Sequence, residues 1–182
     1  MSPDGTRIHA NASVDTESML ILALHLTRAG NDRQQVTPML AALQALPEGW
    51  SAPKTLLADA GYFSATNLEA GVAAGIEPLM AIGRDEHHSP WRERFKEPTA
   101  PPVSDSPVEH MKHALKTRNG RAACALRKQT VEPVFGIIKS VMNLRQFLLR
   151  GLAHVSHEWT LVCLAWNFKR LATLRPKSVQ CA

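Results

Sequence analysis

The sequence predicts an α/β layered region followed by an all-helical one, on three observations. Apolar stretches in the first 82 residues run in the order strand, strand, helix, strand, helix, strand. Residues 83–107 are charged and rich in proline, with Pro90, Pro98, Pro101, Pro102 and Pro107, and carry no periodic apolar pattern. Beyond them, apolar positions recur at helical spacing almost to the C-terminus. The expected division is an α/β part over 1–82, an irregular insertion over 83–107 and a helical part over 108–182. A length of 182 residues suits one globular domain with a real core, and is too short for two large ones.

Taken in order, Arg7–Val14 alternates loosely as a strand, and Asp15-Thr16-Glu17-Ser18 makes a turn. Met19–Leu26 is a continuous apolar run between turn signals, expected as a strand buried on both faces. Asn31-Asp32 opens a helix, with Val36, Met39, Leu40 and Leu43 at helical spacing, and Pro47-Glu48-Gly49 closes it. Lys54–Ala58 is a short apolar strand running into Asp59-Ala60-Gly61-Tyr62-Phe63. Ser64 then caps a helix ending near Gly71 or Gly75, and Pro78–Ile82 is another strand. The helical region divides into Val108–Lys116, Arg121–Met142 with a break, and Leu152–Leu174. Thr130 is expected to cap the second piece of the broken helix, which puts Pro133 within a first turn, where a lost N–H matters least.

Composition and charge narrow the function classes. Hydrophobic residues at 45% and charged residues at 20% are ordinary for a folded soluble chain. No apolar run approaches the ~18–20 residues that span a bilayer. The longest, Trp159–Phe168, is interrupted by Asn167 and followed at once by Lys169 and Arg170. Met1 is followed by Ser-Pro-Asp-Gly and not by a basic then apolar leader, and Cys124, Cys163 and Cys181 have no metal-ligand spacing. The expectation is a cytoplasmic protein with reduced thiols. The net charge of +5 is distributed unevenly: residues 1–107 carry 8 Lys/Arg against 13 Asp/Glu, and residues 108–182 carry 13 against 3. A half with a net charge of +10 is the footprint of a surface that meets phosphates, or a solvated basic face with no partner.

Two segments have chemical potential. Asp59 stands at the carboxyl end of an apolar strand, where open α/β sheets bind ligands, beside the small Ala60 and Gly61. Such a carboxylate can reach a hard metal ion, or can simply form or cap a turn. In the second segment, Val131, Val134, Phe135, Ile138 and Met142 form a buried helical stripe. Glu132 and Lys139, seven residues apart, flank that stripe ~10 Å apart along the axis. One could hold a metal and the other a phosphate; alternatively both belong to the polar flank of an amphipathic helix. His110 with His113, and His154 with His157, sit three apart and could share a metal, but no third ligand is obvious. His87-His88 lies in the proline-rich stretch, facing DNA or merely exposed, and Trp159 and Trp166 read as core.

Together the segments resemble the signature of DDE transposases of bacterial insertion sequences. Leu57-Ala58-Asp59-Ala60-Gly61-Tyr62-Phe63 resembles the block holding the second catalytic aspartate. Arg127 and Glu132-Pro133-Val134-Phe135-Gly136, with Lys139, resemble the block holding the catalytic glutamate. Asn31-Asp32-Arg33-Gln34-Gln35, Phe147–Gly151 and Trp159–Asn167 are similar as well, so the resemblance covers nearly the whole chain.

The resemblance implies an incomplete ribonuclease-H-like mixed sheet with flanking helices, followed by the helical C-terminal region. It implies a transposase that cleaves and joins phosphodiester bonds with two Mg2+ or Mn2+ ions held by three carboxylates. Asp59 and Glu132 would be catalytic metal ligands, and Arg127, Lys128, Lys139, Arg145 and Arg150 would contact DNA. Insertion-sequence ends and target DNA are the implied partners, with a second copy or a full-length transposase beside them, no membrane, and a nucleoid-associated location.

Two positions depart from the family pattern. Cys124 stands where a tyrosine precedes the glutamate. The first aspartate lies on a strand upstream of Arg7, which the residues before Arg7 are too few to supply, and Asp4 and Asp15 read as turn residues. Asp15 is the weak substitute. The expectation is a chain with two of three carboxylates and no cleavage activity alone. Another class is a non-catalytic DNA-binding regulatory remnant, and a third a misfolded relic with an exposed sheet edge.

Overall fold

A computed structural model describes residues 7–50, 53–82, 97–98, 100 and 106–175. Most of the proline-rich 83–107 stretch, including His87 and His88, lies outside the described residues, as do Asp4 and Cys181. The architecture is mixed α/β. Strands β1 (His9–Val14) and β2 (Ile21–Thr27) come first. A 3-10 turn (Asp32–Gln35) leads into α1 (Val36–Gln44). Strand β3 (Thr55–Ala58), a second 3-10 turn (Ala60–Tyr62), α2 (Ala65–Ala73) and β4 (Glu77–Met80) follow. Helices α3 (Pro107–Lys116), α4 (Arg118–Ser140) and α5 (Leu152–Leu174) complete the chain. Among the described residues no helix is long and apolar enough to cross a membrane.

The contacts divide the chain into two units, residues 1–28 with 130–182, and residues 29–129. Each has its own core. In the first unit β1 and β2 form an antiparallel hairpin with a register shift at Ser13/Val14. An isolated two-stranded hairpin is marginal in water. Here it packs with the 130–140 end of α4 and with α5 through Ile21, Leu26, Val134, Ile138, Phe147, Val155, Trp159, Cys163 and Trp166. The expected burial on both faces of β2 holds at Ile21 and Ala23 on one face and Leu26 on the other, the intervening residues being half-buried. Trp159 stacks on Phe135 with ring centroids 5.9 Å apart and meets Phe147 edge-on at 6.3 Å. Away from this core, α5 exposes Leu161, Leu164, Phe168 and Leu171.

In the second unit β3 and β4 pair in parallel, Leu57 opposite Leu79 and Ala58 opposite Met80. Parallel neighbours need a crossover, and α2 supplies it. Ser64 caps α2 by accepting from the Asn67 N–H, and Gly75 follows the helix at φ +72°, where a side chain would strain the backbone. Val36, Leu40, Leu68, Ile76, Leu79, Met80 and Met111 make the core.

Two expectations need correction. The strands form two separate two-stranded sheets and not one mixed sheet among the described residues. Helix α4 runs without a break through Pro133, and Thr130 is a buried residue inside it rather than its cap. A proline inside a helix costs about 3 kcal/mol through its lost bond and ring clash. Burying Val134 and Ile138, each worth about 1.5–3 kcal/mol, is enough to offset that. The carbonyl that Pro133 cannot engage is that of Gln129, the last residue of the second unit before the border.

Candidate active site

In the second unit the site grows from the end of β3. The Ala81 N–H donates to Ala58 at 3.0 Å, carrying the parallel pairing to the strand's last residue. Asp59 then leaves the sheet in extended conformation and opens the 3-10 turn. Its Oδ1 accepts the Ala60 N–H at 2.8 Å, and its carbonyl accepts the Tyr62 N–H at 3.0 Å. The capping role is thus real, but it engages one carboxylate oxygen. The other, Oδ2, lies 3.6 Å from Nη1 of Arg127 on α4. The Asp59 side chain is 57% exposed and that of Arg127 20%. An ion pair this open to water contributes little to stability.

The surroundings are acidic. Asp32, in the 3-10 turn before α1, approaches Gly61 so closely that an added Cβ there would lie 3.3 Å from its Oδ2. Burial first, and then the charges of Asp32 and Asp59, push the Tyr62 phenol above its ordinary range. One helical turn before Arg127, Cys124 is half-buried; burial raises its thiol, and the Arg127 charge opposes that rise. Cys124 thus lies within the field of Arg127. Lys128 is exposed on the same helix.

In the first unit Glu132 is exposed on α4, and Lys139 is exposed in the last turn of that helix. Cations near a helix C-terminus complement its dipole. Arg145 and Arg150 are exposed in the connection to α5. Asp15 is a turn residue: its carboxylate accepts the Ser18 N–H at 2.7 Å as well as the Ser18 hydroxyl. Both bonds go to Oδ2.

Donor chemistry at Asp59 suits a hard cation, because an exposed carboxylate oxygen faces a positive group already. Among the described residues no three His, Cys, Asp or Glu side chains gather where they could hold a metal ion. The fit is therefore to a cation held by one or two carboxylates, with water and phosphate oxygens completing its shell, as Mg2+ accepts.

The chain matches the model of the transposase DDE domain over residues 5–168. It belongs to that family. No curated protein and no solved structure matches the chain. Asp59, Arg127, Glu132 and Lys139 all fall inside the stretch matched to the transposase domain.

The sequence pattern did not point to two residues of this neighbourhood. Asp32 reads as the opening of a helix, and its approach to Gly61 depends on folding across 29 positions. Asn67 is a buried amide in α2, three residues after the Ser64 cap. A polar residue on the apolar side of an amphipathic helix is the one local signal that marks it.

Proposed function

We infer that the chain acts, as its family does, on DNA, and that its chemistry is metal-dependent cleavage and strand transfer at phosphodiester bonds. Its fold, on this reading, is part of a ribonuclease-H-like catalytic domain, with Asp59 and Glu132 as two carboxylates of the metal site. The observation that carries the reading is Asp59: a half-exposed carboxylate at the carboxyl end of a strand, with Arg127 at 3.6 Å. When bound, Mg2+ or Mn2+ would activate water or a DNA 3′-hydroxyl and stabilise the leaving oxygen. Asp59 and Glu132 would hold the ions, and the Ala60 N–H fixes the orientation of the Asp59 carboxylate. Arg127 neutralises Asp59 while no phosphate is present and is the near cation for a phosphate when one arrives. Lys128, Lys139, Arg145 and Arg150 add diffuse attraction for the backbone.

Calorimetry with Mn2+ tests this. Binding is expected in the wild-type chain, weaker in Glu132→Ala and lost in Asp59→Ala; no binding by a chain that melts cooperatively would sink the assignment. With two carboxylates identified and not three, Mg2+-dependent nicking of DNA by the chain alone is expected to be absent. Nicking that Asp59→Ala removes would show that the site is complete.

The charge of residues 108–182, +10, favours a second reading in which the chain holds DNA, with a second copy or a longer transposase, without cutting it. Under that reading, binding weakens with salt by about 0.9 log units per log unit of salt for each phosphate contact, with or without metal.

A further inference from the structure

We propose that Asn67 is a positioning residue for Asp59, acting by clamping the two turns that meet at Gly61. The inference rests on the reading of Asp59 as a metal ligand. Asn67 is 4% exposed. Both hydrogens of its amide are engaged: Nδ2 donates to the Tyr62 carbonyl at 2.6 Å and to the Arg33 carbonyl at 2.8 Å. Its own N–H donates to the Ser64 hydroxyl at 3.1 Å, which fixes the residue at the start of α2.

The two carbonyls belong to different turns. Tyr62 ends the turn that Asp59 opens, and its N–H donates to the Asp59 carbonyl, so holding Tyr62 holds the whole turn. Arg33 belongs to the turn that carries Asp32. Tying the two together brings the Asp32 carboxylate against Gly61, where the missing side chain leaves room for it. The clamp therefore holds the turn from which the Asp59 carboxylate projects and brings a second negative charge, that of Asp32, against the same turn, which favours a cation there. An apolar residue at 67 would bury as well but could donate to neither carbonyl.

The test uses the chain's single tyrosine, Tyr62. Labelling tyrosine ring Cζ with carbon-13 gives one resonance, which is broadened by Mn2+ bound nearby. In the wild-type chain Mn2+ is expected to broaden the signal. Asn67→Ala is expected to weaken Mn2+ binding at least tenfold, with a cooperative melt retained. Asn67→Ser, which keeps one donor, is expected between the two and reads the same quantity if the alanine variant does not fold.

A purely structural asparagine would move the melting temperature alone. Unchanged Mn2+ affinity in whichever variant folds would overturn the proposal. Wild-type broadening that is absent, or that persists in Asp59→Ala, would instead overturn the Asp59 reading and this inference with it. That failure is visible before any change is made at Asn67.

Discussion

The two units solve the same problem, a two-stranded sheet too small to stand alone, by different means. In the second unit β3 and β4 are joined by α2, and the hydrogen bonds by which Asn67 ties the two turns together span at most 34 positions, from Asn67 to Arg33. In the first unit β2 is completed by a helix that follows almost 150 positions later. Asn167 on α5 accepts the Ile21 N–H and donates to the Ile21 carbonyl, both at 2.8 Å. The Trp166 indole N–H donates to the Met19 carbonyl at 2.8 Å, and the Arg170 guanidinium to that of Ser18 at 2.6 Å. Side chains of one helix thus serve backbone groups that a neighbouring strand would otherwise satisfy. The difference teaches that the first unit is held together by groups far apart in sequence, whereas the second closes on itself.

The largest effect expected from breaking this contrast is at Trp159, which is 2% exposed and packed between Phe135 and Phe147. Trp159→Ala removes the centre of the first core and should cost about 3–5 kcal/mol. Denaturant unfolding measures the loss. Amide exchange should place it first in α5, while the Tyr62 resonance of the second unit keeps its native position. Simultaneous loss of both would mean that the units unfold as one.

The matching break in the second unit is at Gly120, in the first turn of α4. A Cβ there would overlap the Ala114 carbonyl near the end of α3. The Thr117 hydroxyl holds this junction by donating to that carbonyl at 2.7 Å and accepting the Gly120 N–H at 3.0 Å. Gly120→Ala must push the two helices apart, at about 1–3 kcal/mol, as overpacking typically costs. Its signature should be opposite to that of Trp159→Ala: a perturbed Tyr62 resonance, with α5 amides still protected.

Asn167 shows what the sequence could and could not convey. Read locally, it is a polar break in the apolar run Trp159–Phe168, an argument against a membrane span. In the fold it is the partner of Ile21. Asn167→Ala should destabilise the first unit by about 1–2 kcal/mol, the usual cost of leaving a partly buried donor and acceptor unmade; denaturation would check it. Where the pattern was local, it was legible. The α5 boundaries, the Ser64 cap and the buried positions of α1 all follow from spacing and capping. Pro133 misled, because a proline's local cost is visible in sequence and the burial that offsets it is not. At the candidate site, the sequence placed Asp59 at a strand end, but Asn67 and Asp32 join it only through contacts between turns, which no periodicity encodes.

The smallest effect sharpens the contrast at the hairpin turn of the first unit. Burial of Asp15 pushes its carboxyl up, but the Ser18 hydroxyl and the N–H groups of Ser18, Glu17 and Thr16 outweigh it and leave the group below its ordinary value. A carboxyl lowered in the folded state stabilises the fold above its unfolded-state pKa of about 3.9 and loses that contribution as pH falls through the folded value. Acidification below about pH 4 should therefore remove a small increment of stability from the wild-type chain. Ser18→Ala deletes the strongest of the opposing bonds and should flatten that dependence without altering stability's slope near neutral pH. Melting temperatures from pH 2.5 to 6 would show it, and parallel curves for the two proteins would mean that the turn draws nothing from the Asp15 charge.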